Sequence, residues 1–117
     1  MAMSNKPLIW LPFAAGGMLA ALLMPALMLA LLADSLGWFE PAALGHERVL
    51  AAVAHPLVAI GLFMVLTLVL WHAAHRLRMT AQDLGVRTPQ PRRWLAWACY
   101  LLAALGTLAL AVVLLRL

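Results

Sequence analysis

The sequence predicts an all-α integral membrane protein of three transmembrane helices, with the N-terminus cytoplasmic and the C-terminus periplasmic. Three observations predict it. First, 67% of the 117 residues are hydrophobic and only 10% are charged, whereas a water-soluble domain carries about 25% charged residues. Mean hydropathy is +1.01, and so little polar surface could not cover the chain in water. Second, Asp, Glu, Lys and Arg are absent from Pro7–Ala33, Val49–His75 and Trp94–Leu115. Each stretch exceeds the roughly 20 residues, at about 1.5 Å rise, that cross a hydrocarbon core. Third, the segment Arg76–Arg93 holds five arginines, whereas Arg48 is the single Lys/Arg between Asp34 and Arg48. Cytoplasmic loops carry the Lys/Arg excess, so the second connection is expected inside and the first outside.

The expected spans within this single domain of residues 1–117 are approximately 8–33, 49–75 and 94–115. The first is read as a retained span rather than a cleaved leader. Its flank carries Lys6 alone, its apolar run is too long for a leader, and Leu31-Leu32-Ala33 lacks a small-x-small cleavage pattern. Pro25 falls in its middle and predicts a kink. Gly16/Ala20 and Gly17/Ala21 put small residues one turn apart, a face against which a second helix can pack closely. Leu36-Gly37-Trp38-Phe39-Glu40-Pro41 reads as a turn. Gln82–Arg93, with Pro89 and Pro91, reads as the connection between the second and third spans. Trp10, Trp38, Trp71 and Trp94 fall near expected span ends, where an indole buries its ring and keeps its N–H wet. Cys99, the single cysteine, reads as a small apolar filler of the third span.

Short loops between apolar helices leave no room for catalytic machinery. The sequence holds no phosphate-binding loop, no Cys/His metal pattern, no nucleophile beside a base and no paired carboxylates. This excludes an enzyme complete in itself and points to an accessory or anchor protein.

Polar groups at membrane depth must find partners, so the run Trp71-His72-Ala73-Ala74-His75-Arg76 stands out. His72, His75 and Arg76 share one helical face by their i, i+3 and i, i+4 spacing. By the expected topology this cluster lies in the same leaflet as Trp10 and Phe13. Aromatic walls with an imidazole and a guanidinium suit a quinone head group, whose oxygens can accept hydrogen bonds from His or Arg. The same residues also suit ordinary interfacial anchoring, and the spacing leaves both readings open. Haem ligation by this chain alone is not expected. His72 and His75 share one helix, and His55 is 17 residues before His72, about 25 Å along the axis.

Four ordered motifs resemble the fumarate reductase D subunit, a family of hydrophobic anchors. They are Trp10-Leu11-Pro12-Phe13-Ala14-Ala15-Gly16-Gly17-Met18 followed by Pro25, then Glu47-Arg48-Val49-Leu50, then Leu70-Trp71 with His75-Arg76, then Asp83-Leu84. The resemblance runs from about Lys6 to the end, although the third span is only generically apolar. It implies a multi-pass anchor of the bacterial inner membrane that is not catalytic by itself. With a second hydrophobic anchor, the C subunit, it would tether a flavoprotein (FAD) and an iron–sulfur protein in a heterotetramer fed by menaquinol. Carried over residue by residue, it implies a quinone site at Trp10, Phe13, Gly17, His75 and Arg76; the residues themselves lead to the expectation of no haem, metal or catalytic residue from this chain. The sequence departs from the family pattern at Arg78, Met79 and Gln82, where further histidines can stand, and at Ala54 and His55, where the family has polar residues. Two other readings stand beside this one: an anchor that packs without touching quinone, and an unrelated small membrane accessory protein.

Overall fold

The computed structural model describes the backbone of residues 6–117 and the side chains of residues 10–117. The N-terminal residues 1–5, which the expected cytoplasmic N-terminus includes, lie outside the described residues. Among the described residues four helices follow one another: α1 (Lys6–Ser35), α2 (His46–Ala54), α3 (Pro56–Asp83) and α4 (Pro89–Leu115). Among the described residues, three segments are long and apolar enough to cross a membrane: Trp10–Ser35, Pro56–Asp83 and Pro89–Leu115. α3 is central, with α1 and α4 packed antiparallel along it and α2 folded against it. The bundle measures 55 × 30 × 29 Å.

Local chemistry sets the helix ends. α1 runs unbroken through Pro12 and Pro25 and stops at Ser35. Gly37 then takes φ +72°, Trp38 N–H bonds the Ala33 carbonyl and Gly37 N–H bonds that of Asp34. This pair of bonds is the Schellman closure that a left-handed glycine permits. Gly85, at φ +122°, closes α3 in the same way, with Val86 N–H on Ala81 and Gly85 N–H on Gln82.

The second span differs from the expected 49–75 at both ends. At its start, Val49–Ala54 belongs to α2, and the helix breaks at His55, which is extended at φ −69°, ψ 126°. The residue before a proline is pushed out of the helical region, while proline at the first helical position is well tolerated, so α3 begins at Pro56. At its end, α3 continues past His75 through two more turns to Asp83. A charge-free run measures depth in lipid, whereas a helix persists through polar residues until a turn stops it. Trp71 therefore sits well inside α3 rather than at its end, and the connection to α4 shrinks to Leu84–Thr88. Pro89 and Pro91 both enter the first turn of α4, where a missing N–H breaks no helical bond.

Small residues let the helices approach. A Cβ on Gly16 would collide with the Leu68 carbonyl and lie 2.8 Å from His72 Cβ. One on Gly17 would lie 2.5 Å from His72 Cε1. On the other side, a Cβ on Gly106 would lie 2.8 Å from Leu70 Cδ2. The described core is Ala74, Cys99 and Ala103, with Leu70, Trp71, Leu95 and Tyr100 packed around it. Cys99 fills this α3–α4 seam as a small apolar residue. Large apolar side chains such as Leu22, Met28, Leu57, Leu102 and Leu108 point outward, an inside-out distribution that suits lipid as the solvent.

Polar contacts add to the α3–α4 seam. Trp71 Nε1–H donates to Thr107 Oγ1 at 3.1 Å, and the Thr107 hydroxyl donates to the Ala103 carbonyl at 2.8 Å. Interhelical side-chain bonds in membranes contribute about 0.6 kcal/mol on average, because the unfolded-in-membrane chain also finds partners. Thr107→Val, which keeps the shape and removes the acceptor, is accordingly expected to cost at most about 1 kcal/mol. Thermal unfolding in mild detergent should show a shift of a few degrees at most.

Candidate functional site

Antiparallel packing brings the start of α1 to the C-terminal half of α3. Between them opens a cleft of about 510 Å³ lined by Trp10, Phe13, Ala14, His72, His75, Arg76, Met79 and Asp83. Ligand sites of this kind occupy about 300–1,000 Å³ and combine apolar walls with a few placed polar groups. Four of the five residues singled out in the sequence, Trp10, Phe13, His75 and Arg76, meet on this one surface. The fifth, Gly17, does not line the cleft and lies behind it against the His72 imidazole. The cleft sits at the arginine-rich end of the bundle, beside the turn that carries Arg87 and leads to Arg92 and Arg93.

The walls are held from behind. His72 Nδ1 lies 2.6 Å from the Phe13 carbonyl oxygen. A carbonyl only accepts, so Nδ1 carries the proton and donates it. This bond ties α3 to α1 at the point where Gly16 and Gly17 admit the ring. The Phe13 ring lies 4.6 Å from the His75 imidazole, tilted by 36°, within the range of favourable aromatic pairing.

His75 also reaches α4. Its Nδ1 is 2.9 Å from the Tyr100 hydroxyl, which accepts a hydrogen bond from Arg78 Nη1 at 3.0 Å. The Arg78 guanidinium carbon is 5.7 Å from the Tyr100 ring centroid, and Trp71 stacks on Tyr100 at 6.0 Å between centroids. One turn nearer the connection, Arg92 Nη2 donates to Gln82 Oε1 at 2.9 Å. His75 is thus a residue at which α1, α3 and α4 meet.

Sequence reasoning missed Tyr100, Arg78, Met79 and Asp83 as parts of this region. Met79 and Asp83 continue the face of His72, His75 and Arg76 at i+3 and i+4 steps, so extending the helix past His75 would have found them. Tyr100 carried a fainter signal, as the only tyrosine of the chain and set within an apolar span.

Comparison with known proteins agrees with this architecture. The family model for the D subunit of fumarate reductase matches residues 1–115. The fumarate reductase D subunit of Mycobacterium tuberculosis (strain ATCC 25618 / H37Rv) is 40% identical over 105 residues, covering 89% of this chain and 82% of that protein. Its counterpart in Mycobacterium bovis (strain BCG / Pasteur 1173P2), of the same description, has the same identity and coverage. That of Shewanella putrefaciens (strain CN-32 / ATCC BAA-453) is 33% identical over 110 residues, covering 93% of this chain and 88% of the relative. With three helices able to span a membrane and a family match over nearly its whole length, the chain belongs to the fumarate reductase D-subunit family.

Proposed function

We propose that this chain anchors a fumarate reductase in the inner membrane and supplies one wall of its menaquinol site. In this reading it acts with the second anchor, the C subunit, to tether the flavoprotein and iron–sulfur protein, and it is not catalytic alone. The observation that carries the reading is the cleft itself, where Trp10 and Phe13 of α1 face His75 and Arg76 of α3. The aromatic rings offer stacking surfaces for a planar head group. Arg76 can only donate hydrogen bonds, and His75 can donate one, so both suit a ring oxygen that gains negative character. The concentration of arginines at the cleft end supports a cytoplasmic location for it, the side on which the iron–sulfur protein would dock. The first connection and the C-terminus then face the periplasm.

The test is purification of a tagged chain from mild-detergent membranes, with absorbance for flavin and iron–sulfur clusters and an assay of quinol-driven fumarate reduction. Co-purification with activity is the expected result. Trp10→Ala is expected to leave the complex assembled and to weaken quinol oxidation about ten-fold, from loss of an aromatic contact worth about 0.5–1.5 kcal/mol together with the area it buries. Unchanged quinol oxidation in both Trp10→Ala and His75→Ala complexes would leave the chain as a packing element only. Recovery of the chain without flavin or iron–sulfur protein would remove the anchor reading as well.

A further inference from the structure

We propose that Tyr100 and Arg78 are positioning residues that hold His75 in a single tautomer, with its Nε2–H presented to the cleft. The inference rests on the quinol-site reading and deepens it. It starts from the hydrogen-bond inventory of three side chains. Arg78 carries only donors, so at 3.0 Å from Tyr100 its Nη1–H must donate and the phenol oxygen must accept. The Tyr100 proton then needs an acceptor, and His75 Nδ1 lies 2.9 Å away. Among the described residues no other hydrogen-bond acceptor meets this hydroxyl. If Nδ1 instead carried the proton, the phenol oxygen would accept twice and its own O–H would be left unmade in a partly buried seam. Leaving a donor unmade is the costlier arrangement in such surroundings. The bonds therefore run in one direction, from Arg78 to Tyr100 to His75, and the imidazole proton resides on Nε2.

The geometry gives this tautomer a use. Nδ1 is engaged on the α4 side, while the ring packs against Phe13 on the α1 side and lines the cleft. Nε2 is the nitrogen left for whatever occupies the cleft, and it is a donor. His72, one turn away on the same wall, has the opposite state, because its Nδ1 donates to the Phe13 carbonyl. A ligand that presents an oxygen acceptor, such as a quinone carbonyl, is matched by His75 without any rearrangement of the ring. Tyr100 and Arg78 do not line the cleft and act through His75 alone.

The test uses the assembled complex with histidine labelled at its ring nitrogens in lipid, observed by solid-state NMR. The His75 signals are assigned by their loss in His75→Gln. Protonated and bare ring nitrogens resonate far apart, so the tautomer reads out without turnover. The expected result is a bare Nδ1 and a protonated Nε2 in the parent, and a mixture of tautomers in Tyr100→Phe. Steady-state kinetics with a water-soluble naphthoquinol should show kcat reduced about ten-fold in Tyr100→Phe, as expected for one misdirected hydrogen bond, with KM within about two-fold. Thr107→Val, which breaks the neighbouring α3–α4 contact, should change neither the tautomer nor kcat. A protonated Nδ1 in the parent overturns the proposal, and so does a tautomer indifferent to Tyr100→Phe. A shifted tautomer with unchanged kcat overturns the positioning role. Failure of the quinol reading is seen separately, as Trp10→Ala and His75→Gln both retaining full quinol oxidation whatever the NMR shows.

Discussion

Gly16→Leu is expected to abolish recovery of this chain in an assembled complex. Even a bare Cβ at this position would collide with the Leu68 backbone carbonyl and press on His72 Cβ, and neither can rotate away as the tip of a flexible side chain could. The α1–α3 seam must open by more than a methyl group, and overpacking a tight contact costs typically about 1–3 kcal/mol. Here the opening also stretches the His72–Phe13 bond and widens the cleft, so the losses fall on one seam. Membrane helices lack a hydrophobic drive to pair and depend on this close fit. Gly61→Ala provides the contrast, because none of the described residues lies within 4 Å of its added Cβ. It should be neutral or stabilising by up to about 1 kcal/mol, from the better helix propensity of alanine. Affinity recovery of the complex, followed by thermal unfolding, reads both variants.

The second large effect is expected at His75. His75→Gln should leave assembly and the absorbance of the partner proteins intact while lowering quinol-driven fumarate reduction about 100-fold, the lower end of what one positioned donor to a developing oxyanion contributes. Fumarate reduction driven by a soluble one-electron dye should be unchanged, because such a donor bypasses the membrane cleft. The pair of assays separates loss of quinol chemistry from loss of the complex. The effect should exceed that of Trp10→Ala, since His75 both lines the cleft and contacts the other two long helices, whereas Trp10 is an exposed wall.

The three spans could be read from the charge-free stretches because lipid demands long uninterrupted apolar runs, a constraint strong enough to act on single residues such as Asp34 and Arg48. The close approach at Gly16 and Gly17 was readable from the four small residues in a row, Ala14 to Gly17, which favour close packing beyond the general abundance of Ala and Gly in membrane helices. The meeting of Trp10 and Phe13 with His75 and Arg76 followed from the alternation of helix directions. The break at His55–Pro56 was less legible, because hydropathy does not register a change of backbone angle and the apolar run continues across it. The extension of α3 to Asp83 was hidden by the arginines, which end the lipid-compatible stretch but not the helix. Tyr100 and Thr107 were hidden most deeply. Their partners, His75, Arg78 and Trp71, lie 22 to 36 residues away on another helix, and no periodicity along one helix encodes such a pairing.

The central claim, that α1 and α3 form a wall of the quinol site, is tested most directly by photolabelling. A photoreactive naphthoquinone would be cross-linked to the purified complex in lipid, with and without competing menaquinol, and the labelled peptides sequenced. Competable label on the segments that carry Trp10, Phe13 and His72 through Met79 is the predicted result. Competable label confined to the partner proteins, with none on either segment, would contradict the claim.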